Sequence, residues 1–339
     1  MVKRMKEKMA IIGPVDAAGK NMLRQRLHER FEIMEIPSRT AYEQMKDVSA
    51  VVLRTLNLNR EDILKLKKLK IIQRWGAGYD TVDIKAAAEQ GVQVTVAAGL
   101  NAVPVAEYTV LLMLAVYRNL INTHNNVING EWRDDGFIQR SYVLNGKQAG
   151  LIGMGSIGKK VAALVQAFGA QVIYHDVLPL GRDEEEKLHV RYRPLEDLLK
   201  ESDIVSIHVP LLEQTRHLID TAALRMMKKN AILINTARGG VINEADLYDA
   251  LKTGTILGAG MDVFEQEPLR KGHPLLELPN IVVSSHNAGN TADNSIFMAE
   301  RCAENILTVI NGGQVSKPDL VNGHLLKEWR NTYERTKDA

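Results

Sequence analysis

The chain has 339 residues, of which 45% are hydrophobic and 25% charged, a composition typical of globular proteins long enough for two domains. Lys and Arg number 43 against 41 Asp and Glu, for a net charge of +2. This balance argues against a nucleic-acid or membrane-surface partner. The single cysteine, Cys302, excludes an intramolecular disulfide framework and fits a reducing compartment.

Two apolar segments bear on the location of the protein. The basic start, residues 1–8, precedes too few apolar residues for a signal peptide. The most apolar helix candidate, residues 108–116, is too short to span a bilayer. We therefore expect a cytoplasmic protein with no membrane partner.

The first hundred residues alternate short apolar runs with segments of helical periodicity, which predicts a parallel sheet with helices on both faces. One strand–helix connection contains Gly76, Ala77 and Gly78, whose backbone N–H groups lie where open α/β sheets bind ligands. An ordinary tight turn would explain these glycines equally well. Strands are predicted over residues 9–12, 49–53, 70–73 and 92–96, and helices over residues 20–30, 61–69 and 83–90.

From residue 101 the pattern changes. Pro104 suits the first turn of a helix, and residues 105–119 continue as one long apolar helix that leads into a second domain. Residues 122–147 are predicted to be a polar stretch rich in turns. Residues 181–187 (GRDEEEK) are predicted to be a charged surface loop, without the acid pairing that suggests a metal site.

Residues 149–176 carry the pattern of a dinucleotide-binding unit: strand, G-x-G-x-x-G, helix, strand and acid. Gly153 permits the tight turn, Gly155 lets the backbone approach a pyrophosphate, and Gly158 lets the helix pack closely on the strand. The pyrophosphate would lie at the helix N-terminus. Asp176 follows at roughly the spacing of the acid that binds a ribose 2′-hydroxyl, and no arginine succeeds it, so NAD is predicted rather than NADP.

The α/β alternation then resumes to the end of the chain. We therefore predict an α/β fold of two doubly wound parallel-sheet domains. In the dinucleotide unit the strands are residues 149–152 and 171–174 and the helix is residues 159–168; further on, strands are predicted over residues 204–208, 231–235, 256–261 and 281–283, and helices over residues 195–200 and 291–310.

Arg238, Glu267 and His286 each follow one of the last three strands, at the sheet edge where the dinucleotide should lie. Hydride transfer to or from a hydroxy acid requires these side chains. Arg binds a carboxylate bidentately, His exchanges the hydroxyl proton, and a carboxylate on the far ring nitrogen orients the imidazole. Singly, each has an ordinary alternative: an exposed Arg in a turn, a solvated Glu before Pro, or a satisfied His at a strand end.

Seven segments together resemble the D-2-hydroxyacid dehydrogenase family. They occur in the family's order and are residues 76–80 (GAGYD), 101–107 (NAVPVAE), 153–158 (GMGSIG), 208–211 (HVPL), 235–240 (NTARGG), 262–268 (DVFEQEP) and 286–289 (HNAG). The resemblance implies a flavodoxin-like substrate domain and a Rossmann-like NAD domain with a cleft between them. It places the substrate domain at residues 1–101 with 291–339 and the NAD domain at residues 102–290. It also implies a homodimer formed through the nucleotide domain.

The resemblance also assigns residues. Arg238 would bind the substrate carboxylate and carbonyl, His286 would be the acid–base, and Glu267 would pair with His286. The backbone of Gly76, Ala77 and Gly78 would hold the substrate carboxylate. The positions that match cofactor-binding residues of the family are Gly153, Gly155, Ser156, Ile157, Gly158, Asp176, Val209, Pro210, Thr215, Thr236, Ala237, Arg238, Asp262, His286 and Gly289.

This chain departs from the family pattern around its histidine. Ser285 and Asn287 stand where Pro and Ile or Leu are usual, which puts the shape of that loop in doubt. Formate dehydrogenases of the superfamily carry Gln at the position of Glu267, so that branch is disfavoured. Relatives that act as dinucleotide-sensing corepressors retain the same trio, so a binding role is the alternative of another class.

The substrate prediction depends on two arginines. Arg54 and Arg74 each follow or close a strand of the first domain, and guanidinium groups match phosphate oxygens. In the phosphoglycerate dehydrogenase branch, arginines at matching positions bind the substrate phosphate. The favoured substrate is therefore 3-phosphoglycerate, and a small unphosphorylated 2-keto acid such as hydroxypyruvate or glyoxylate is the alternative.

Overall fold

The computed structural model describes residues 5–133 and 136–326. The chain divides into two compact units, a first unit of Met1–Asn101 with Asn290–Ala339 and a second unit of Ala102–Gly289. Within the described ranges, no helix combines the length and the apolarity needed to cross a bilayer.

The first unit contains a five-stranded parallel sheet. Its order is β2-β1-β3-β4-β5, the flavodoxin-like doubly wound order. The strands are β1 (Glu7–Ile12), β2 (Phe31–Ile36), β3 (Val48–Leu53), β4 (Ile71–Arg74) and β5 (Gln93–Thr95), and the helices are α1 (Ala17–Leu27), α2 (Arg60–Lys65), α3 (Ile84–Glu89) and α12 (Ala292–Ile310).

Helices cover both faces of this sheet, which explains why its strands are continuous apolar runs. Met9 and Ile11 point to the face that Leu23 of α1 and Ile306 of α12 cover. The alternate residues Ala10 and Ile12, with Val51 and Leu53, form a second core with α2 and α3. Side chains of a strand alternate between its faces, so β1 supplies both cores.

The C-terminal segment, residues 319–322, lies along β5 and completes that sheet edge. The N–H of Val96 donates to Asp319 O (2.9 Å), and the N–H of Val94 donates to Asn322 Oδ1 (2.9 Å). Asn322 Nδ2 donates in return to Val92 O (2.9 Å). These bonds satisfy backbone groups that an open sheet edge would leave unpaired.

The second unit contains a seven-stranded parallel sheet of order β12-β11-β10-β9-β6-β7-β8. The strand order reverses between β6 and β9, which is the switch point where doubly wound sheets bind dinucleotides. The strands are β6 (Gln148–Ile152), β7 (Gln171–His175), β8 (Val190–Tyr192), β9 (Ile204–Ile207), β10 (Ile232–Asn235), β11 (Gly258–Met261) and β12 (Ile281–Val283).

Eight helices of the second unit are described. The apolar helix α4 packs on α7 and on strands β10 and β11, and its long buried face includes Val110 and Met113. The helices are α4 (Ala102–Tyr117), α5 (Leu120–Ile128), α6 (Phe137–Arg140), α7 (Ser156–Ala167), α8 (Arg182–Leu188), α9 (Leu195–Glu201), α10 (Thr221–Met226) and α11 (Glu244–Thr253).

The predicted α/β class with two parallel sheets is confirmed. The charged loop predicted over residues 181–187 is wrong, because Gly181 caps α8 and the other six residues lie within that helix. Its first turn carries Asp183, Glu184 and Glu185, which favour a helix N-terminus, and Tyr174 Oη donates to Glu185 Oε1 (2.8 Å). The polar stretch predicted over residues 122–147 includes most of α5 and all of α6; residues 134–135 lie outside the described ranges.

Candidate active site

The glycine turn after β6 leaves open space above the N-terminus of α7. A Cβ on Gly153 would lie 2.6 Å from His208 O, and a Cβ on Gly158 would lie 2.2 Å from Gly153 O. Among the described residues, and apart from its own chain neighbours, no atom comes within 4 Å of a Cβ built on Gly155. The fold itself therefore requires the first and third glycines, whereas only a ligand would require the second. Ser156 and Ile157 begin α7, where free N–H groups suit a pyrophosphate.

Asp176 lies beside this turn, directly after β7. Its Oδ2 accepts the N–H of Met154 (2.8 Å) and its Oδ1 accepts the N–H of Leu178 (3.0 Å). These bonds fix the carboxylate next to the glycine turn, where an acid after the second strand of a dinucleotide unit can bind a ribose hydroxyl. An NAD molecule therefore fits the residues present at the switch point.

Arg238 follows β10 in a turn that the side chain of Asn235 closes. Asn235 Oδ1 accepts the N–H of Ala237 (3.0 Å), and Asn235 Nδ2 donates to Arg238 O (2.9 Å). The hydroxyl of Thr109 donates to Val105 O (2.7 Å), so the Thr236 hydroxyl, 2.9 Å away, must donate to Thr109. Asn235 and Thr109 therefore hold the turn from two sides.

Gly239 brings this turn against the segment that carries Glu267. A Cβ on Gly239 would lie 1.8 Å from the carbonyl carbon of Phe264 and 2.4 Å from Glu265 N. Two stretches of backbone therefore touch where any side chain would separate them. Burial raises the pKa of Glu267, but hydrogen bonds from His286 and the Phe264 N–H, with the charges of His286 and Arg238, hold that pKa below its ordinary value.

His286 and Glu267 form a hydrogen-bonded pair. The distance from His286 Nδ1 to Glu267 Oε2 is 2.7 Å, and Glu267 Oε1 accepts the N–H of Phe264 (3.0 Å). Because a carboxylate only accepts, Nδ1 carries the proton in this pair. His286 adopts a left-handed backbone conformation with φ of 55°, a conformation often associated with functional sites.

Asp262 fixes the loop of His286. It is 1% exposed; its Oδ1 accepts the Ser284 hydroxyl (2.6 Å) and the Asn287 N–H (2.9 Å), and its Oδ2 accepts the Ala288 N–H (2.9 Å). These bonds anchor the loop, and the cofactor contact predicted for Asp262 stays a prediction. Two of the three bonds come from backbone N–H groups, so the loop tolerates the unusual Ser285 and Asn287 side chains.

Two other histidines near these strands suit the acid–base role less well. Burial lowers the pKa of His208 to about 3, so its ring is neutral, and its Nε2 lies 3.0 Å from Ser206 Oγ. His217 Nε2 is paired with Glu265 Oε1 (3.1 Å). His286 is the histidine that contacts Glu267.

Sequence reasoning missed Glu244, which holds the Glu267 segment from behind. The N–H of Glu265 donates to Glu244 Oε1 (2.5 Å), and the N–H of Glu244 donates to Glu265 Oε1 (3.3 Å). Burial and the charges of Glu265 and Glu267 raise the pKa of Glu244, although the bond from Glu265 N–H and the nearby His273 oppose this shift. An acid at the start of a helix is a common capping signal, so sequence alone gave no reason to single it out.

The remaining cofactor candidates lie in the second unit. Val209 and Pro210 follow β9, and the Thr215 hydroxyl shapes their loop by accepting the Leu212 N–H (2.7 Å) and donating to Pro210 O (2.6 Å). Gly289 ends the unit.

The substrate candidates of the first unit lie at the carboxyl ends of β3 and β4. Arg74 is 7% exposed; its Nε donates to Gly78 O (2.8 Å), and its Nη1 donates to Leu53 O (3.0 Å) and Arg54 O (2.8 Å). Arg54 donates to Pro14 O (2.5 Å) and to Asn290 Oδ1 (3.0 Å). Arg74 therefore supports the glycine loop, and the phosphate contact predicted for it stays a prediction.

The glycine turn at the switch point, the acid after β7 and the Arg, Glu and His at the strand ends are the parts of a nicotinamide-dependent dehydrogenase. Residues 110–288 match the family model described as D-isomer specific 2-hydroxyacid dehydrogenase, NAD binding domain. The chain belongs to the D-isomer specific 2-hydroxyacid dehydrogenase family. It is an NAD-dependent oxidoreductase that acts on the CH–OH group of hydroxy acids.

Named relatives support this assignment. The chain is 40% identical over 288 residues to a glyoxylate reductase of Korarchaeum cryptofilum, covering 84% of this chain and 86% of that one. It is 39% identical over 272 residues to a D-3-phosphoglycerate dehydrogenase of Methanocaldococcus jannaschii, covering 80% of this chain but 51% of that one. The crystal structure of an NAD-dependent formate dehydrogenase from Staphylococcus aureus in complex with NAD matches with a TM-score of 0.85 at 27% identity, covering 93% of this chain and 98% of that one.

Proposed function

We propose that the protein reduces a small unphosphorylated 2-keto acid, with glyoxylate as the first choice and hydroxypyruvate as the next. The observation that carries this proposal is the burial of Arg74, whose Nε and Nη1 are committed to backbone carbonyls. A phosphate would have to compete with those bonds. Several relatives that carry the name glyoxylate reductase favour the same choice.

We propose the following roles for the chain's own residues. NADH, when bound, supplies the hydride for the carbonyl carbon. Arg238 binds the substrate carboxylate and polarises the carbonyl, and His286 Nε2 donates a proton to the carbonyl oxygen, so that hydride and proton together yield the hydroxy acid. Glu267 accepts a hydrogen bond from His286 Nδ1–H. This bond holds the imidazole ring in place and stabilises its charged form.

The backbone of Gly76, Ala77 and Gly78 is proposed to donate hydrogen bonds to the substrate carboxylate. For the cofactor, Gly155, Ser156 and Ile157 are proposed to bind the pyrophosphate and Asp176 the adenine ribose. The proposed further lining of the cofactor consists of Val209, Pro210, Thr215, Thr236, Ala237 and Gly289.

Steady-state kinetics test the substrate. The reaction of purified protein with NADH and each keto acid is measured by the loss of NADH absorbance. We expect a higher kcat/KM for glyoxylate and hydroxypyruvate than for 3-phosphohydroxypyruvate. A clear preference for the phosphorylated keto acid would contradict the proposal.

A second candidate is the oxidation of 3-phosphoglycerate. It is favoured by the half-buried position of Arg54 at the end of β3 and by the phosphoglycerate dehydrogenase relative. If this candidate holds, Arg54→Ala should cost about 1.5–3 kcal/mol in kcat/KM for the phosphorylated substrate alone. An equal loss for hydroxypyruvate would exclude a phosphate contact.

We further propose a cytoplasmic homodimer. Leu120, Ile121, Ile128, Trp132 and Ile138 of the second unit expose large apolar side chains, as dimer surfaces do before they pair. The buried lone thiol of Cys302 and the use of NADH support the proposed location, and cell fractionation would test it. Light scattering should report a dimer for the wild type and a shift toward monomer for Ile128→Glu, but not for the control Phe168→Glu, whose side chain is also exposed.

A further inference from the structure

The glycine loop after β4 is held from inside the first unit by two donors. Gly76 O accepts the N–H of Ala97 (3.0 Å), and Gly78 O accepts Arg74 Nε (2.8 Å). Ala97 is fully buried and Arg74 nearly so. Both carbonyl groups therefore point into the unit.

The direction of these carbonyls fixes the direction of the next N–H groups. The one cis peptide bond among the described residues is Glu267–Pro268, so the loop peptides are trans. In a planar trans peptide the C=O and N–H point in opposite directions. The N–H of Ala77 therefore points away from Ala97, and the N–H of Tyr79 points away from Arg74.

Arg74 is itself fixed by a buried polar network. Gln73 Nε2 donates to Arg74 O (2.8 Å), and Gln73 Oε1 accepts the Thr95 hydroxyl (2.6 Å) and Asn305 Nδ2 (3.0 Å). The side chains of Gln73, Thr95 and Asn305 are at most 5% exposed. This network fixes the backbone of Arg74, and the bonds from Nη1 to Leu53 O (3.0 Å) and Arg54 O (2.8 Å) hold its guanidinium beside Gly78 O.

We infer that Arg74 is a positioning residue for substrate binding. It holds the peptide between Gly78 and Tyr79 so that the Tyr79 N–H joins the Ala77 N–H as a donor for the substrate carboxylate. The inference rests on the proposed function, in which this loop binds that carboxylate. It assigns Arg74 to the recognition of every 2-keto acid substrate, phosphorylated or not.

Binding of oxamate, a carboxylate that NADH does not reduce, tests the inference without turnover. We expect Arg74→Met to weaken oxamate binding to the enzyme–NADH complex by roughly 10-fold or more, because a hydrogen-bond donor to a charged group is lost. Arg74→Lys keeps the charge but lacks the planar fork of guanidinium donors, so its oxamate affinity should lie between those of the wild type and Arg74→Met. The NADH Kd should stay unchanged, and KM for glyoxylate should rise more than kcat falls.

Arg60→Met is the matched control. Arg60 lies in α2 of the same unit and donates to both oxygens of Glu89 (2.9 and 2.6 Å), so the same side chain is lost away from the loop. Wild-type oxamate affinity in Arg74→Met overturns the inference, as does an equal loss in Arg60→Met. If Arg74→Met does not fold, Arg74→Lys decides alone: unchanged oxamate affinity overturns the role of Arg74. A wild-type complex that does not bind oxamate overturns the proposed function as well.

Discussion

Replacement of Gly155 by alanine separates the needs of the fold from those of the cofactor. Gly155 caps α7 with φ of −77°, a conformation open to alanine, and a Cβ there meets no atom of a non-neighbouring residue within 4 Å in the part of the chain that the structure describes. The fold should therefore tolerate the change, with a stability effect within about 1 kcal/mol. A pyrophosphate at the α7 N-terminus would meet the new methyl group. We expect a loss of about 1.5–3 kcal/mol in NADH binding, roughly 10- to 150-fold in Kd.

Gly181→Ala provides a close control. Gly181 caps α8 with φ of −66°, and a Cβ there also meets no atom of a non-neighbouring residue within 4 Å over residues 5–133 and 136–326. Thermal unfolding should shift by similar small amounts in both variants, whereas titration of NADH fluorescence should detect weaker binding in Gly155→Ala alone. Wild-type NADH affinity in Gly155→Ala, or an equal loss in Gly181→Ala, would refute the placement of the pyrophosphate.

Four further predictions concern the chemistry and the fold of the second unit. His286→Ala should lower kcat by roughly two orders of magnitude or more, and stopped-flow or steady-state rates near wild type would remove it from the mechanism. The lowered pKa of Glu267 means that its contribution to stability is present above pH 4.5 and is lost in more acidic solution; urea titrations across pH should record this loss in the wild type and not in Glu267→Gln. Asp176→Ser should narrow the preference for NADH over NADPH. A native enzyme that used both cofactors equally would contradict the assignment of Asp176 to the adenine ribose. Gly239→Ala should cost about 1–3 kcal/mol or more in unfolding free energy and also lower kcat/KM, because the new Cβ would overlap the backbone of Phe264. Normal stability would show that the turn of Arg238 and the segment of Glu267 can move apart.

The periodicity of the sequence predicted most strands because both sheets are covered on two faces. A strand buried on both faces is a continuous apolar run, as in residues 48–53, and such runs are easily recognised. Strand β2 was missed because its sequence, FEIMEI, mixes charged and apolar residues at a sheet edge. Helix α8 was mistaken for a loop because its stability depends on charge placement and on Tyr174 rather than on an apolar face.

The chemistry of the site could be predicted by residue type, but the supporting contacts could not. Arg238, Glu267 and His286 follow strands that end at one sheet edge, so strand order alone indicates that they belong together. The pairing of Glu244 with Glu265 joins residues far apart in the sequence, and no local pattern specifies it. Arg74 shows the same limit: a guanidinium near a ligand loop suits a phosphate and a backbone carbonyl equally well until its burial is known.

The discontinuous first unit has a consequence for how the chain folds during synthesis. Its sheet is complete by residue 95, yet its core requires Cys302 and Ile306, and its edge requires the segment 319–322. The second unit, by contrast, is continuous in sequence. At roughly 5–20 residues per second, the ribosome leaves the first sheet without its last helix for on the order of ten seconds or more. We therefore expect the middle of the chain to fold first, so that the N-terminal hundred residues are the part that depends on chaperones.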